Sequence, residues 1–97
     1  MRVFSKKMLR EYWENHTDAK AGLQGWYEEA LRVEWQTPYD IKRTHTNASI
    51  IGDNRVVFNI QGNAYRLVVK IHYDRGFVYI RFVGTHAEYD KIDAEKV

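Results

Sequence analysis

Four residues in the second half of the chain have the types that phosphodiester chemistry needs: Arg66 in "YRLVVK", and Arg81, His86 and Tyr89 in "RFVGTHAEY". Metal-free cleavage of an RNA backbone takes one group to remove a proton from the attacking 2′-hydroxyl and one to protonate the leaving oxygen. It also takes cations to hold the charge that builds on the phosphate. Histidine can make either proton transfer, a tyrosine hydroxyl can orient or relay one, and an arginine fork meets two phosphate oxygens at once. No metal or other cofactor is called on. Each residue also has an ordinary use, since histidines cap helices while lysines and arginines solvate strand faces and blunt sheet edges. Of the other histidines, His16 closes a helix, His45 lies in a polar loop as a candidate substrate contact and His72 ends a strand. No two of them have the spacing to acids that a zinc site shows.

These residues need a rigid support, and the second half supplies one. "RVVFNI", "YRLVVKIH" and "FVYIRFV" alternate with period two and are rich in β-branched and aromatic residues, which predicts three strands. "QGNA", with Gly62 and Asn63, and "YDRG", with Asp74 and Arg75 at the tip, suit tight turns between them. A three-stranded antiparallel meander follows. Two-residue turns would set Phe58 opposite Leu67, and Leu67 opposite Phe82. One face then carries Val56, Phe58, Ile60, Leu67, Val69, Ile71, Val78, Ile80 and Phe82, an apolar surface for helices to cover. The other carries Asn59, Arg66, Val68, Lys70, Tyr79 and Arg81, with Lys70 opposite Tyr79 and Arg81 opposite Val68. Three cations on one small patch repel one another modestly and would hold a phosphate well.

"GTHAEYD" begins where the third strand ends. Gly84 permits a sharp exit, and Thr85 with Glu88 three residues on is a capping-box pattern for a short C-terminal helix. On that helix His86 and Tyr89 stand at i and i+3 and share a side.

The first half reads as a helical pair. Ser5 is a plausible N-cap for a helix bearing Met8, Leu9, Tyr12 and Trp13, and Asp18 for a second bearing Leu23, Trp26, Tyr27, Ala30 and Leu31. Gly22 and Gly25 weaken the start of the second. Pro38, the only proline, marks the end of the helical half, and "TPYDIKRTHTNASIIGDN" reads as a loop with one helical turn near Tyr39.

At 97 residues the chain has the length of one domain, and 44% hydrophobic with 29% charged residues is an ordinary globular balance. Fifteen basic against thirteen acidic residues leave a formal charge of +2, so local placement rather than overall charge must carry any nucleic-acid reading. The absence of cysteine rules out disulfides and thiolate metal sites and suits a cytoplasmic location. "MRVFSKKMLREYWENH" is too charged for a signal peptide, and no apolar run is long enough to span a bilayer.

The run "NRVVFNIQGNAYRLVVKIHYDRGFVYIRFVGTHAEYDKID", residues 54 to 93, closely resembles the HigB branch of the RelE-like toxins of bacterial type II toxin–antitoxin modules. The resemblance implies an α+β fold, in which a helical pair packs on the meander and a short C-terminal helix follows, as one domain over residues 1–97. It implies a metal-independent mRNA endoribonuclease, acting in many relatives on messages in the ribosomal A site. It implies as partner a helix-turn-helix antitoxin of HigA type that neutralises the toxin and reaches operator DNA. Arg66 matches the strand arginine that holds the scissile phosphate. His86 falls where RelE members place a basic residue, which suits a general acid or base, and Tyr89 lies near the position of a catalytic or stacking aromatic. Arg81, Lys70 and Tyr79 fit RNA contacts, and Lys42 and Arg43 stand in for lysines that other members carry before the sheet.

Two further classes share these features. A related fold serves toxins that inhibit DNA gyrase without cleaving anything, and a basic sheet can bind RNA or the ribosome without chemistry. A titrating histidine beside Arg66 separates cleavage from plain binding, which cations and aromatics alone would serve. Trp35 and Tyr39 are candidates for the antitoxin contact or for the core.

Overall fold

The computed structural model describes residues 1–97. Its elements run β1 (Arg2–Phe4), α1 (Lys6–Asn15), a 3₁₀ turn (Thr17–Ala19), α2 (Lys20–Arg32), α3 (Pro38–Thr44), β2 (Ser49–Ile51), β3 (Arg55–Ile60), β4 (Tyr65–His72), β5 (Phe77–Thr85) and α4 (His86–Tyr89). The α+β class holds, and β3–β4–β5 is the expected meander. The sheet is nonetheless five-stranded and mixed, in the order β1-β5-β4-β3-β2, with β1 parallel to β5 and every other pair antiparallel. No helix is long and apolar enough to cross a membrane.

One face of the sheet is apolar as the alternation requires. Val56, Phe58, Ile60, Leu67, Val69, Ile71, Val78 and Ile80 meet Leu9 and Trp13 of α1, and Leu23, Trp26 and Ala30 of α2, in a single buried cluster. Each Val, Leu, Ile or Phe side chain so buried contributes about 1.5–3 kcal/mol relative to an exposed one. Phe58 is at its centre, stacked on Trp35 and edge-on to Trp26. Gly22 lets α2 approach β3, for a Cβ there would lie 2.8 Å from Cγ2 of Ile60.

The segment before β2 differs from the expected loop. Thr37 accepts the Asp40 N–H while Asp40 accepts those of Thr37 and Gln36, and Pro38 supplies a fixed φ at the first helical position, so the proline begins α3 instead of only ending what precedes it. Ile41 of α3 and Trp35 are fully within the core, whereas Tyr39 is 71% exposed. Helix starts differ too. Ser5 adopts a left-handed backbone and makes no capping bond, and Asp18 lies in the 3₁₀ turn, its carboxylate accepting the Tyr65 hydroxyl at 2.6 Å.

Register is as expected between β3 and β4, with Phe58 opposite Leu67, although residues 61–64 form the turn and the left-handed residues are Gln61 and Gly62. Between β4 and β5 it is as expected only from His72↔Phe77 to Val69↔Ile80. A bulge then leaves Arg81 unpaired, setting Phe82 opposite Val68 and Val83 opposite Leu67. One inserted residue flips every later side chain to the other face. Phe82 therefore leaves the helix-covered face, Val83 packs against the core in its place, and Arg81 is not opposite Val68.

Candidate functional site

The face turned away from the helices is where the cations gather. In register across it run Asn59, Arg66 and Gly84, then Val57, Val68 and Phe82, then Arg55, Lys70 and Tyr79. Phe4 of β1 stacks on Tyr79 at 4.9 Å between ring centroids, Phe77 meets both rings edge-on, and His72 meets that of Tyr79 edge-on. Arg2 places its guanidinium 5.1 Å from the Phe4 ring. Charge interleaved with aromatic rings is the arrangement that holds single-stranded nucleic acid, phosphates on cations and bases on rings.

Arg66 lies between Asn59 and Gly84, and the N–H of His86, two residues beyond Gly84, donates to the Ala64 carbonyl at 3.1 Å. The strand arginine and the helix histidine therefore share one end of the sheet. Arg66 uses Nη1 on the carbonyls of Asn63 (2.9 Å) and Tyr65 (3.3 Å), which fixes the guanidinium beside the β3–β4 turn. The His86 side chain is 57% exposed, with Nε2 3.6 Å from a carboxylate oxygen of Asp90. Tyr89 closes the same short helix and is half-buried.

The helix is held by its own capping box and by a contact from α1. Thr85 and Glu88 form the expected capping box, Oε1 of Glu88 accepting the Thr85 N–H at 2.8 Å and Thr85 Oγ1 accepting that of Glu88 at 3.1 Å. These bonds hold the Glu88 carboxyl below its ordinary range, the Thr85 backbone being the largest cause. Tyr12 of α1 donates its hydroxyl to the same oxygen of Glu88 at 3.1 Å, and burial, followed by that carboxylate, holds its ionisation well above the usual tyrosine range. His16 stacks flat on Tyr12 at 3.9 Å. Gly84 lies within β5 with ordinary backbone geometry, and what its missing side chain provides is room for the Phe82 ring, whose Cζ would lie 2.6 Å from a Cβ there.

The remaining cations are all engaged by acceptors of the chain itself. Lys70 faces Asp53 at 3.6 Å, and Arg81, at the bulge, donates from Nε to the Val97 main-chain oxygen at 3.1 Å. Lys42 and Arg43 are on α3 and not in a loop. Lys42 Nζ donates to the carbonyls of Thr46 and Ala48, and Arg43 reaches toward Asp40 at 4.0 Å. Neither is among the residues aligned on the cationic face. His45 is engaged as well, its Nε2 3.0 Å from both carboxylate oxygens of Glu29.

Asn59, Asp90, Tyr12 and Arg55 were not singled out from sequence as site residues. Asn59 carried a signal, as the cross-strand partner of Arg66, and Asp90 another, at i+4 from His86. Tyr12 and Arg55 acquire their contacts from α4 and from the tail, which no local pattern announces.

A sequence profile for HigB_toxin, described as the RelE-like toxic component of a toxin–antitoxin system, matches residues 19–92. The chain belongs to this family. Among curated relatives, it is similar to the mRNA interferase toxin HigB of Escherichia coli K12, at 27% identity over 92 residues, which is 93% of this chain and 88% of the relative. The mRNA interferase HigB proteins of Escherichia coli O157:H7 and Shigella flexneri match with the same identity and coverage. As a member of this family it is the toxic component of a toxin–antitoxin system, and that membership implies an antitoxin partner.

Proposed function

We propose that this HigB-family toxin is a metal-independent endoribonuclease that cleaves mRNA on the ribosome and is neutralised by a HigA-type helix-turn-helix antitoxin, with residues 1–97 acting as one RelE-like domain. The observation that carries this reading is the placement of Arg66 in register with Gly84, from which the chain leads directly into the helix bearing His86 and Tyr89. The names of its relatives agree with it.

In this reading Arg66 neutralises the scissile phosphate and Arg81 the charge of a neighbouring phosphate of the same strand. Attack of the 2′-oxygen on phosphorus forms a 2′,3′-cyclic phosphate as the bond to the 5′-oxygen breaks. The 2′-hydroxyl proton is removed at the start, and the 5′-oxygen gains one as it leaves. His86 makes a proton transfer, with Asp90 behind the imidazole and Tyr89 orienting or relaying. Lys70 and Tyr79 hold flanking nucleotides through charge and stacking, and Lys42 and Arg43 contact RNA only at its periphery. Operator DNA is reached through the antitoxin alone.

Mapping of mRNA ends after brief induction tests this, with Arg66→Ala and His86→Ala as controls and translation blocked in a parallel arm. New ends in frame with codons, absent from both variants and from the blocked cells, are expected. Growth arrest without new ends would sink the cleavage reading in favour of gyrase inhibition or passive ribosome binding.

A further inference from the structure

We infer that Arg55 and Arg81 form a phosphate-binding subsite for single-stranded RNA, which the chain's own tail fills until RNA displaces it. This rests on the reading of the cationic face as an RNA surface and adds a residue and an occupant to it.

The two arginines stand on β3 and β5 and converge over β4 on one atom. The Val97 main-chain oxygen accepts from Nε (3.0 Å) and Nη2 (2.6 Å) of Arg55 and from Nε of Arg81 (3.1 Å). Arg55 is the one charged residue that is buried, at 4% exposure. Its remaining nitrogen, Nη1, donates to the Asp53 carboxylate at 2.8 Å and to the Asp53 carbonyl at 3.3 Å. Lys70, in register with Arg55, faces the same carboxylate. Three cations thus surround one carboxylate and one main-chain oxygen.

The Nε–Nη2 edge of a guanidinium is the edge that takes two oxygens of a phosphate, whereas the tail offers both nitrogens a single oxygen. A phosphate at this point would meet that edge of Arg55 and the Nε of Arg81 together. The floor of the site separates a nucleotide from a bare anion. Beside the arginines lie Val57 and Val68, at 3% and 0% exposure, with Phe82 next in register. A bare phosphate offers these side chains no apolar surface. A nucleotide brings a flat ring along with its phosphate, and the ring can pack against them. Lys70 and Arg66 share β4 about 13 Å apart, four residues at strand rise, so the subsite would hold a nucleotide flanking the one whose phosphate lies at Arg66.

The tail suits a displaceable occupant. Residues 93–97 fold on themselves through bonds from the Lys96 and Val97 N–H groups to the Asp93 carbonyl, and Asp93, Glu95 and Lys96 are exposed.

The test is fluorescence anisotropy with a short RNA whose 2′-hydroxyls are methylated, so that binding is read without cleavage. Removing residues 94–97 should tighten binding about tenfold, because a competing occupant is gone. Arg55→Gln and Arg81→Gln should each weaken binding, and either one combined with the truncation should cancel its gain. Unchanged or weaker binding by a truncated protein that circular dichroism shows to be folded would overturn the inference. If truncation or Arg55→Gln prevents folding, the exposed Arg81→Gln decides, and unaltered affinity there overturns it equally. Failure of every form to bind the RNA also overturns it, while the mapping of mRNA ends still judges cleavage separately.

Discussion

The hydroxyl of Tyr12 and the backbone N–H of Thr85 meet on the same oxygen of Glu88, at 3.1 and 2.8 Å. A residue of the first helix thereby holds the four-residue helix on which His86 and Tyr89 stand. Tyr12→Phe removes only the hydroxyl and should cost about 1 kcal/mol of stability, the net worth of one such bond. If α4 is positioned through this contact, RNA cleavage should fall by more than the loss of folded protein explains. Urea denaturation beside single-turnover cleavage separates the two, and an unaltered rate per folded molecule would assign Tyr12 to stability alone.

Acid should loosen the same helix. The Glu88 carboxyl is held low when folded, so its contribution is complete above the ordinary glutamate value and is lost as pH falls through the lower, folded one. Glu88→Gln should flatten the stability–pH curve below about pH 4.5, near that ordinary value. Thermal melts between acid and neutral pH provide the check, and curves that run parallel for the two proteins would contradict it.

Asp53 predicts a second acid-sensitive point at the opposite end of the face. Its hydrogen bond from Arg55, then the charge of Lys70, hold its carboxyl below the usual aspartate range. The sign is that of Glu88, with stability lost as pH falls below about 4. Asp53→Asn should remove this limb and lower neutral-pH stability by the same amount, a modest one for an exposed carboxylate. The same melts, with the Arg55 Nε resonance followed by NMR, would read both.

Gly84→Ala should destabilise the protein by about 1–3 kcal/mol, the usual cost of overpacking, because the new methyl would fall on the Phe82 ring. Phe82→Ala in the same chain should restore part of that loss. A double-mutant cycle in urea tests it, and strictly additive effects would show that the ring does not meet the methyl.

Arg66→Ala and His86→Ala should each lower cleavage about 10²–10⁴-fold, the range for losing one positioned catalytic group. Both should melt near the parent, since neither side chain belongs to the core. Arg66→Lys should recover only part, for an ammonium lacks the planar fork.

Much of this was legible because period-two alternation ties core and face together. The apolar surface and the face bearing Arg66 and Lys70 follow from it, while the β3–β4 register came from the turn length and the Thr85–Glu88 box from its own four-residue pattern. The bulge at Arg81 did not, because Phe82 and Val83 are both apolar and the pattern fits either register. β1 and β2 are three residues each, and β1 pairs with residues far along the chain, so no turn announces it. α3 was readable after all, since "TPYD" places a cap at Thr37, proline at the first helical position and Asp40 in the box. The burial of Arg55 was not, because it depends on where the tail comes to rest.

The pairing of Arg2 with Phe77 joins residues 75 positions apart. Synthesis runs from the first of these to the second, so the outer strand has no partner through most of translation, and closing so long a loop slows folding. Arg81, His86 and Tyr89 emerge later still. A nascent chain thus carries no assembled cationic face for most of its time on the ribosome that makes it, and that delay leaves an interval in which an antitoxin already present can meet the toxin as it folds.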